Sequence, residues 1–309
     1  MKIKIVLGLV VLLGFGMFNM FYTPDNAGIE NNDRQKSERS VVCEAAPTAN
    51  NLSQNIFMGV EGKIKAHLND GTEYSVYLAY PQKSATPYIY NSKPMRSASM
   101  IKVFILAAAM EEDKAGRLSI DEKVILHASA KVGGAGILEG YRNGAVLSMR
   151  EVLRLMITES DNTATNIIID RLGFDTINAY IKSHGYKDTV LKRKMMYSAA
   201  VAAGRENMSS VSDLGEIFKR IWAHGCVSEK HDAIMLEFLK GQTDTDCFPS
   251  ALPGAVIAHK TGALVGLYDD GGIIYRNGKD TVLVIMTENY TGARNAIAHM
   301  KAFAKSVAL

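Results

Sequence analysis

Tyr74-Ser75-Val76-Tyr77-Leu78-Ala79-Tyr80 is the stretch on which the fold turns. Its aromatic and branched residues suit a half-buried pleated surface, so it reads as a strand. Pro81 closes it, and Pro87-Tyr88-Ile89-Tyr90, followed by Asn91-Ser92, reads as a second strand. Strand composition returns only near the other end, at 256–259, 272–275 and 281–286. Between them the pattern is helical. From 99 to 115, Ile101, Phe104, Ile105, Ala108 and Ala109 recur at helix spacing and Gly116 ends the run. Further helices are expected at 148–157, 163–172, 175–183, 212–224 and 230–239, with a closing amphipathic helix at 293–307. Isolated strand pairs are marginal, so the strands of both ends are expected to share one sheet. The hairpin-like spacing of the last two favours antiparallel pairing. The expected class is α+β, with helices covering the sheet in a three-layer α/β/α-like arrangement and the helical middle packed as a lobe. A groove where sheet and lobe meet is a natural substrate site.

The 309 residues are 47% hydrophobic, enough to bury a sizeable core. The net charge is only +3 with no long basic run, so nothing suggests a nucleic-acid partner. Lys2 and Lys4 precede an apolar run from 5 to 22, which reads as a signal peptide or membrane anchor. Charge before the run and little after it place the remainder outside the cytoplasm, secreted or anchored, with membrane contact through this segment alone. Residues 23–54 are polar and read as a flexible linker, leaving 55–309 as the folded domain. The three cysteines, Cys43, Cys226 and Cys247, cannot all pair within one chain. A Cys226–Cys247 bridge and two free thiols are both open readings, with Cys43 alone in the linker. No cysteine has metal-ligand spacing to His or Cys, and neither metal nor cofactor is expected.

Three short motifs carry chemistry. In Ser99-Met100-Ile101-Lys102 the serine and lysine fall one turn apart on a helix. A hydroxyl is a weak nucleophile until a base takes its proton, and a desolvated lysine can serve as that base. In Ser160-Asp161-Asn162, at the junction of two helical segments, Ser160 can relay a proton to a leaving group. Asn162 can bond both Lys102 and a substrate amide, while Asp161 fixes the turn. In Lys260-Thr261-Gly262, ending a strand, Lys260 adds a second cation and Thr261 offers a hydroxyl to a substrate carboxylate. Gly262 lets a ligand approach the backbone. The backbone N–H groups of Ala263 and Ser99 can hold an oxyanion. Singly, each motif also reads as an ordinary helix cap, turn or strand end.

In this order the three motifs resemble the signature of class A β-lactamases and penicillin-binding proteins. The resemblance extends to Gly133-Gly134-Ala135-Gly136-Ile137-Leu138, to the stretch from Leu155 to Asn166, to Asp188-Thr189 with Leu191 and Arg193, and to His259 before Lys260. It covers residues from about 55 to the C-terminus. It implies a β-lactamase/transpeptidase-like fold and a serine hydrolase that forms an acyl-serine at Ser99. Ser99, Lys102 and Ser160 would then be catalytic, and Asn162, Lys260, Thr261 and Gly262 would bind substrate. Ser99 and Ala263 would form the oxyanion hole.

The sequence departs from the family at two places. Class A enzymes carry an omega-loop glutamate that activates the deacylating water, and shortly after it an asparagine. Registered on Asp188, Leu191 and Arg193, these positions fall on Met195 and near Ala199. The nearest downstream acid is Glu206. The family's carboxylate-holding arginine is also missing from Tyr268-Asp269-Asp270, leaving Arg294 as a candidate substitute. The expected behaviour is acylation by β-lactams or related amides and esters with slow release. The substrate is a small-molecule β-lactam or a cell-wall peptide, and the chain is expected to be a monomer. A penicillin-binding DD-peptidase-like enzyme and a non-catalytic binding module on the same fold are the alternatives.

Overall fold

The computed structural model describes residues 56–308. The expected leader at 1–22, the linker at 23–54 and Cys43 lie outside the described residues.

The expected sheet forms from both ends of the domain. Strands β1 (Glu73–Ala79) and β2 (Tyr88–Tyr90) come from one end, and β7 (Val256–Leu264), β8 (Leu267–Arg276) and β9 (Lys279–Glu288) from the other. Their order is β2-β1-β9-β8-β7, antiparallel throughout. β1 docks against β9 with Tyr77 opposite Val284, which ties the two ends of the chain together. The β8–β9 register, Arg276 opposite Lys279, is set by Asn277-Gly278, with φ of 52° and 69°. Positive φ at both positions is the two-residue hairpin turn whose twist matches the strands.

β9 is buried on both faces, so it reads as an unbroken apolar run with alternating destinations. Val282, Val284 and Met286 pack towards the helical lobe. Leu283 and Ile285 pack towards α1 (Val60–His67) and α10 (Ala293–Val307), with Ile64, Met300 and Phe303. The sheet therefore sits between two apolar layers.

The lobe is built around α2 (Lys102–Lys114), in which every residue from Lys102 to Met110 is buried. A helix apolar on all sides belongs at the centre of a helical layer. Around it lie α3 (Met149–Thr158), α4 (Asn162–Leu172), α5 (Phe174–Ser183), α7 (Val211–Trp222) and α8 (Glu229–Lys240), with a short α6 (Ser198–Ala202) between. Small two-stranded pairings, β3 (Met95–Arg96) with β6 (Met208–Ser209) and β4 (Lys123–Ile125) with β5 (Val146–Ser148), tie down the loops. A short α9 (Phe248–Ala251) precedes β7.

Two sequence expectations are corrected, and one reading left open is decided. The helix expected from 99 opens as a 3-10 turn, Ala98–Ile101, and becomes α-helical only at Lys102. Lys260-Thr261-Gly262 lies inside β7 rather than at its end, because pairing with β8 continues to Leu264 opposite Leu267. Cys226 and Cys247 are free thiols. Cys226 belongs to the lobe-side core and Cys247 to the core under α10, so the two sit in different apolar layers. Burial raises both thiols, Cys226 to about 12 and Cys247 well above the usual range. Among the described residues no helix is long and apolar enough to cross a membrane.

Candidate active site

Ser99 sits in the 3-10 turn that feeds α2 and is half-buried. The turn is anchored at Ser97, whose N–H and Oγ both donate to Asn207 O, at 2.9 and 3.0 Å. Ala98 precedes the serine with φ of 42°, a left-handed conformation rare for a residue with a side chain. Such strain persists only where surrounding contacts enforce it, and it concentrates at functional sites. Gly262 supplies one such contact. A Cβ there would lie 3.1 Å from Ala98 Cβ and 3.3 Å from Ser97 O. Its missing side chain therefore lets β7 close on the serine turn.

Lys102, at the first turn of α2, reaches across to the α3–α4 junction. Its Nζ donates to Ser160 O at 2.6 Å, to Asn162 Oδ1 at 3.0 Å and to Ser160 Oγ at 3.2 Å. Lys260, from β7, donates to the same Ser160 Oγ at 3.0 Å and to Thr261 O at 2.9 Å. Segments 58 and 100 residues from Ser160 thus meet on one hydroxyl. Both amines are fully buried. Burial, and then the neighbouring Lys260, hold the Lys102 amine well below the usual lysine range, against an opposing pull from Asp161. Burial brings Lys260 down to about 7, opposed by Asp244 and Asp270. An uncharged lysine has a lone pair and can accept a proton.

Ser160 is itself held at φ 51° by its neighbours. Asp161 caps α4 through Ala164 N–H at 2.8 Å and also accepts from Ile137 and Leu138 N–H at 2.7 and 2.8 Å. The glycine-rich segment 133–136 lies directly over this motif. A Cβ on Gly136 would fall 2.3 Å from Asp161 Cγ, and Gly136 also has φ 112°. Asn162 donates back to Gly133 O at 3.1 Å. Asp161 thus fixes the turn and the loop above it together.

The open face of the site is a cleft of about 670 Å³ that Ser99, Asn162 and Ala263 line. Met195, Met196, Val201 and Ala202, of the segment preceding and including α6, also line it. Met195 occupies the position where the resemblance calls for a glutamate. Its backbone is gripped by Asn166, which donates to Met195 O at 3.1 Å and accepts from Met195 N–H at 2.8 Å. Glu206 is committed elsewhere: its Oε2 accepts from Arg193 Nη2 at 2.7 Å and Nε at 3.1 Å. Ala199, expected near the family's asparagine position, lies in α6 and is exposed.

Arg294 lines a separate surface groove with Asp246, Ile297 and Lys301, not the Ser99 cleft. Tyr268 turns its hydroxyl to Asp244 Oδ2 at 3.2 Å. Asp270 accepts from His259 Nδ1 at 2.8 Å and from Phe248 N–H at 3.0 Å. Sequence reasoning missed Asn166 and Asn207. Asn207 Oδ1 accepts from Lys192 and Arg193 N–H, at 2.7 and 3.0 Å, while its own carbonyl holds Ser97. One buried asparagine, through its side-chain Oδ1 and its backbone carbonyl, thereby ties the 190s segment to the turn that carries Ser99. A lone asparagine carries no spacing signal that announces this. Among the described residues no cluster of three or more His, Cys, Asp or Glu is placed to hold a metal ion.

Two buried lysines that share one hydroxyl, with Ser99 three residues before the first of them, set between an antiparallel sheet and a helical lobe, fit the serine hydrolases of the β-lactamase and penicillin-binding class. The chain belongs to the beta-lactamase enzyme family, whose model matches residues 60–308. Among curated relatives it is similar to beta-lactamase SME-1 of Serratia marcescens, 24% identical over 193 residues. That match spans 60% of this chain and 65% of the relative's length. Among solved structures it resembles a beta-lactamase from Sphaerobacter thermophilus, at 25% identity and a TM-score of 0.74, covering 81% of this chain and 95% of the other. A mutant of PBP-A, solved as an acyl-enzyme complex with penicillin G, gives 25% identity and a TM-score of 0.71, covering 82% and 96%.

Proposed function

We propose that this chain is an acyl-serine enzyme in which Ser99 attacks the carbonyl of a β-lactam or related amide or ester and releases the acyl group slowly. The observation that carries this reading is Ser160 Oγ, which lies within 3.2 Å of Lys102 Nζ and 3.0 Å of Lys260 Nζ. Lys102, whose burial favours the uncharged amine, takes the Ser99 proton. The Ser99 oxygen bonds to the carbonyl carbon, and the backbone N–H groups of Ser99 and Ala263 hold the oxyanion. The C–N bond then breaks, and the proton returns to the leaving nitrogen through Ser160. Asn162 positions the acyl amide, and Lys260 with Thr261 holds the substrate's anionic end.

Slow release rests on the residues that line the cleft with Ser99. Met195 offers no base to activate water, and Glu206 is occupied by Arg193. A general base contributes about 10²–10⁴ in rate, so its absence leaves a long-lived acyl-enzyme. This favours penicillin-binding behaviour and a cell-wall peptide as natural substrate over rapid lactam destruction. That a PBP-A mutant of the same fold was solved as an acyl-enzyme with penicillin G supports acylation by a β-lactam. An extracytoplasmic location, where such substrates occur, is consistent with Lys2, Lys4 and the apolar run from 5 to 22.

Labelling with a fluorescent penicillin tests this. The wild type is expected to carry a stable label that benzylpenicillin blocks and Ser99→Ala abolishes. Absence of label on the folded wild type would favour a binding module on the same fold.

A further inference from the structure

A second cavity, of about 580 Å³, lies beside the catalytic cleft and shares Arg193, Met195 and Met196 with it as a common wall. Ser99 is not among its lining residues. The space falls within the range of small-molecule sites. Its apolar surface comes from Val132, Phe174, Tyr197 and Ala200 together with the two methionines.

Four cations line this cavity, and they divide into two kinds. Arg193 is paired with Glu206 at 2.7 Å, and Lys194 with Asp170 at 2.5 Å. The side chains of Lys192 and Arg205 are exposed and make no hydrogen bond or ion pair among the described residues. A cavity with an apolar body and two uncompensated cations is complementary to an amphipathic anion. Arginine in particular presents a planar fork that matches a carboxylate or sulfonate.

We propose that this cavity is an accessory binding site for an amphipathic organic anion, an aromatic or branched apolar body bearing one carboxylate or sulfonate. The apolar body packs against Phe174, Val132 and Met195, and the anionic group meets Lys192 and Arg205. The site is distinct from the cleft that binds the acyl donor, and the proposal stands whether or not Ser99 is acylated by lactams.

The test uses 8-anilinonaphthalene-1-sulfonate, whose fluorescence rises in an apolar site, titrated into the full chain. The expected result is saturable binding of one dye per chain, retained in Ser99→Ala and after treatment with benzylpenicillin. The paired charge reversal Lys192→Glu with Arg205→Glu is expected to raise the dissociation constant at least about tenfold. The neutral pair Lys192→Met with Arg205→Met should weaken binding less, and thermal melts should show both pairs folded. Lys301→Glu with Lys305→Glu, in the groove at Arg294, should leave binding unchanged. N-phenyl-1-naphthylamine, which lacks the sulfonate, should bind no better to wild type than to the reversed pair. Binding insensitive to Lys192 and Arg205 would overturn the proposal. So would loss of the dye on acylation of Ser99, which would make the cavity an extension of the catalytic cleft.

Discussion

Asn166 grips the backbone of Met195 from both sides, accepting from its N–H at 2.8 Å and donating to its carbonyl at 3.1 Å. The grip fixes the backbone of a residue that lines the same cleft as Ser99, at the position where the family resemblance registers a glutamate.

Met195→Glu is therefore expected to gain turnover. Met195 is 7% exposed, so burial will raise the new carboxyl's affinity for protons and favour a base near neutrality. Deacylation of the benzylpenicillin adduct should quicken about 10²-fold, with acylation changed far less. Stopped acylation followed by intact mass measures both. An adduct as long-lived as the wild type's would mean that something other than the missing base limits release.

Lys102 and Ser160 are expected to act on acylation. Lys102→Ala removes the base and should lower the second-order acylation constant by about 10²–10⁴. Ser160→Ala removes the hydroxyl shared by the two amines and should cost about 10² in the same constant. Competition against a fluorescent penicillin reads these values. A Lys102→Ala protein that acylates at the wild-type rate would remove lysine from the base role.

The acylation constant for benzylpenicillin should fall as pH rises through about 7, where Lys260 loses its charge and its hold on the substrate's carboxylate. Lys260→Arg keeps the cation and should flatten that limb. Stability should move the other way. Lys260 binds its proton more weakly folded than unfolded, so between pH 7 and about 8.5 the unfolded chain holds more protons. Stability from this group, and from Lys102 in the same direction, therefore rises with pH across that window. Urea titrations at pH 7 and 8.5 provide the check, and a lower midpoint at 8.5 would contradict it.

Gly136→Ala is expected to be costly although it adds one methyl. The new Cβ would meet Asp161 Cγ at 2.3 Å in a backbone with φ 112°. The displacement would loosen a carboxylate that accepts three backbone N–H groups. A loss of roughly 2–4 kcal/mol is expected, or about 5–10 °C in Tm. Acylation should fall as well, because Ser160 and Asn162 flank Asp161. An unchanged melting point would show that the loop yields freely.

Much of this was legible in the sequence because it is local. Helix spacing put Lys102 one turn after Ser99, and the spacing of the last two strands marked an antiparallel pair. The central helix was harder to bound: α2 is buried on every side, and the tight turn at Ala98 replaces its first helical turn. What stayed hidden depends on distant partners. The extension of β7 to Leu264 needs β8 to pair with it. The thiol state of Cys226 and Cys247 depends on which apolar layer each enters. The work of Asn166 and Asn207 lies in backbone groups that no motif names. Arg294, suggested by position alone, lies in another groove.

Time-resolved intact mass spectrometry with benzylpenicillin bears most directly on the account. The wild type should gain one penicilloyl mass within minutes and keep it while free lactam declines by little more than one equivalent, and Ser99→Ala should gain nothing. Rapid consumption of many equivalents with no adduct accumulating would contradict slow release. An unmodified chain with the lactam intact would contradict acylation at Ser99 altogether.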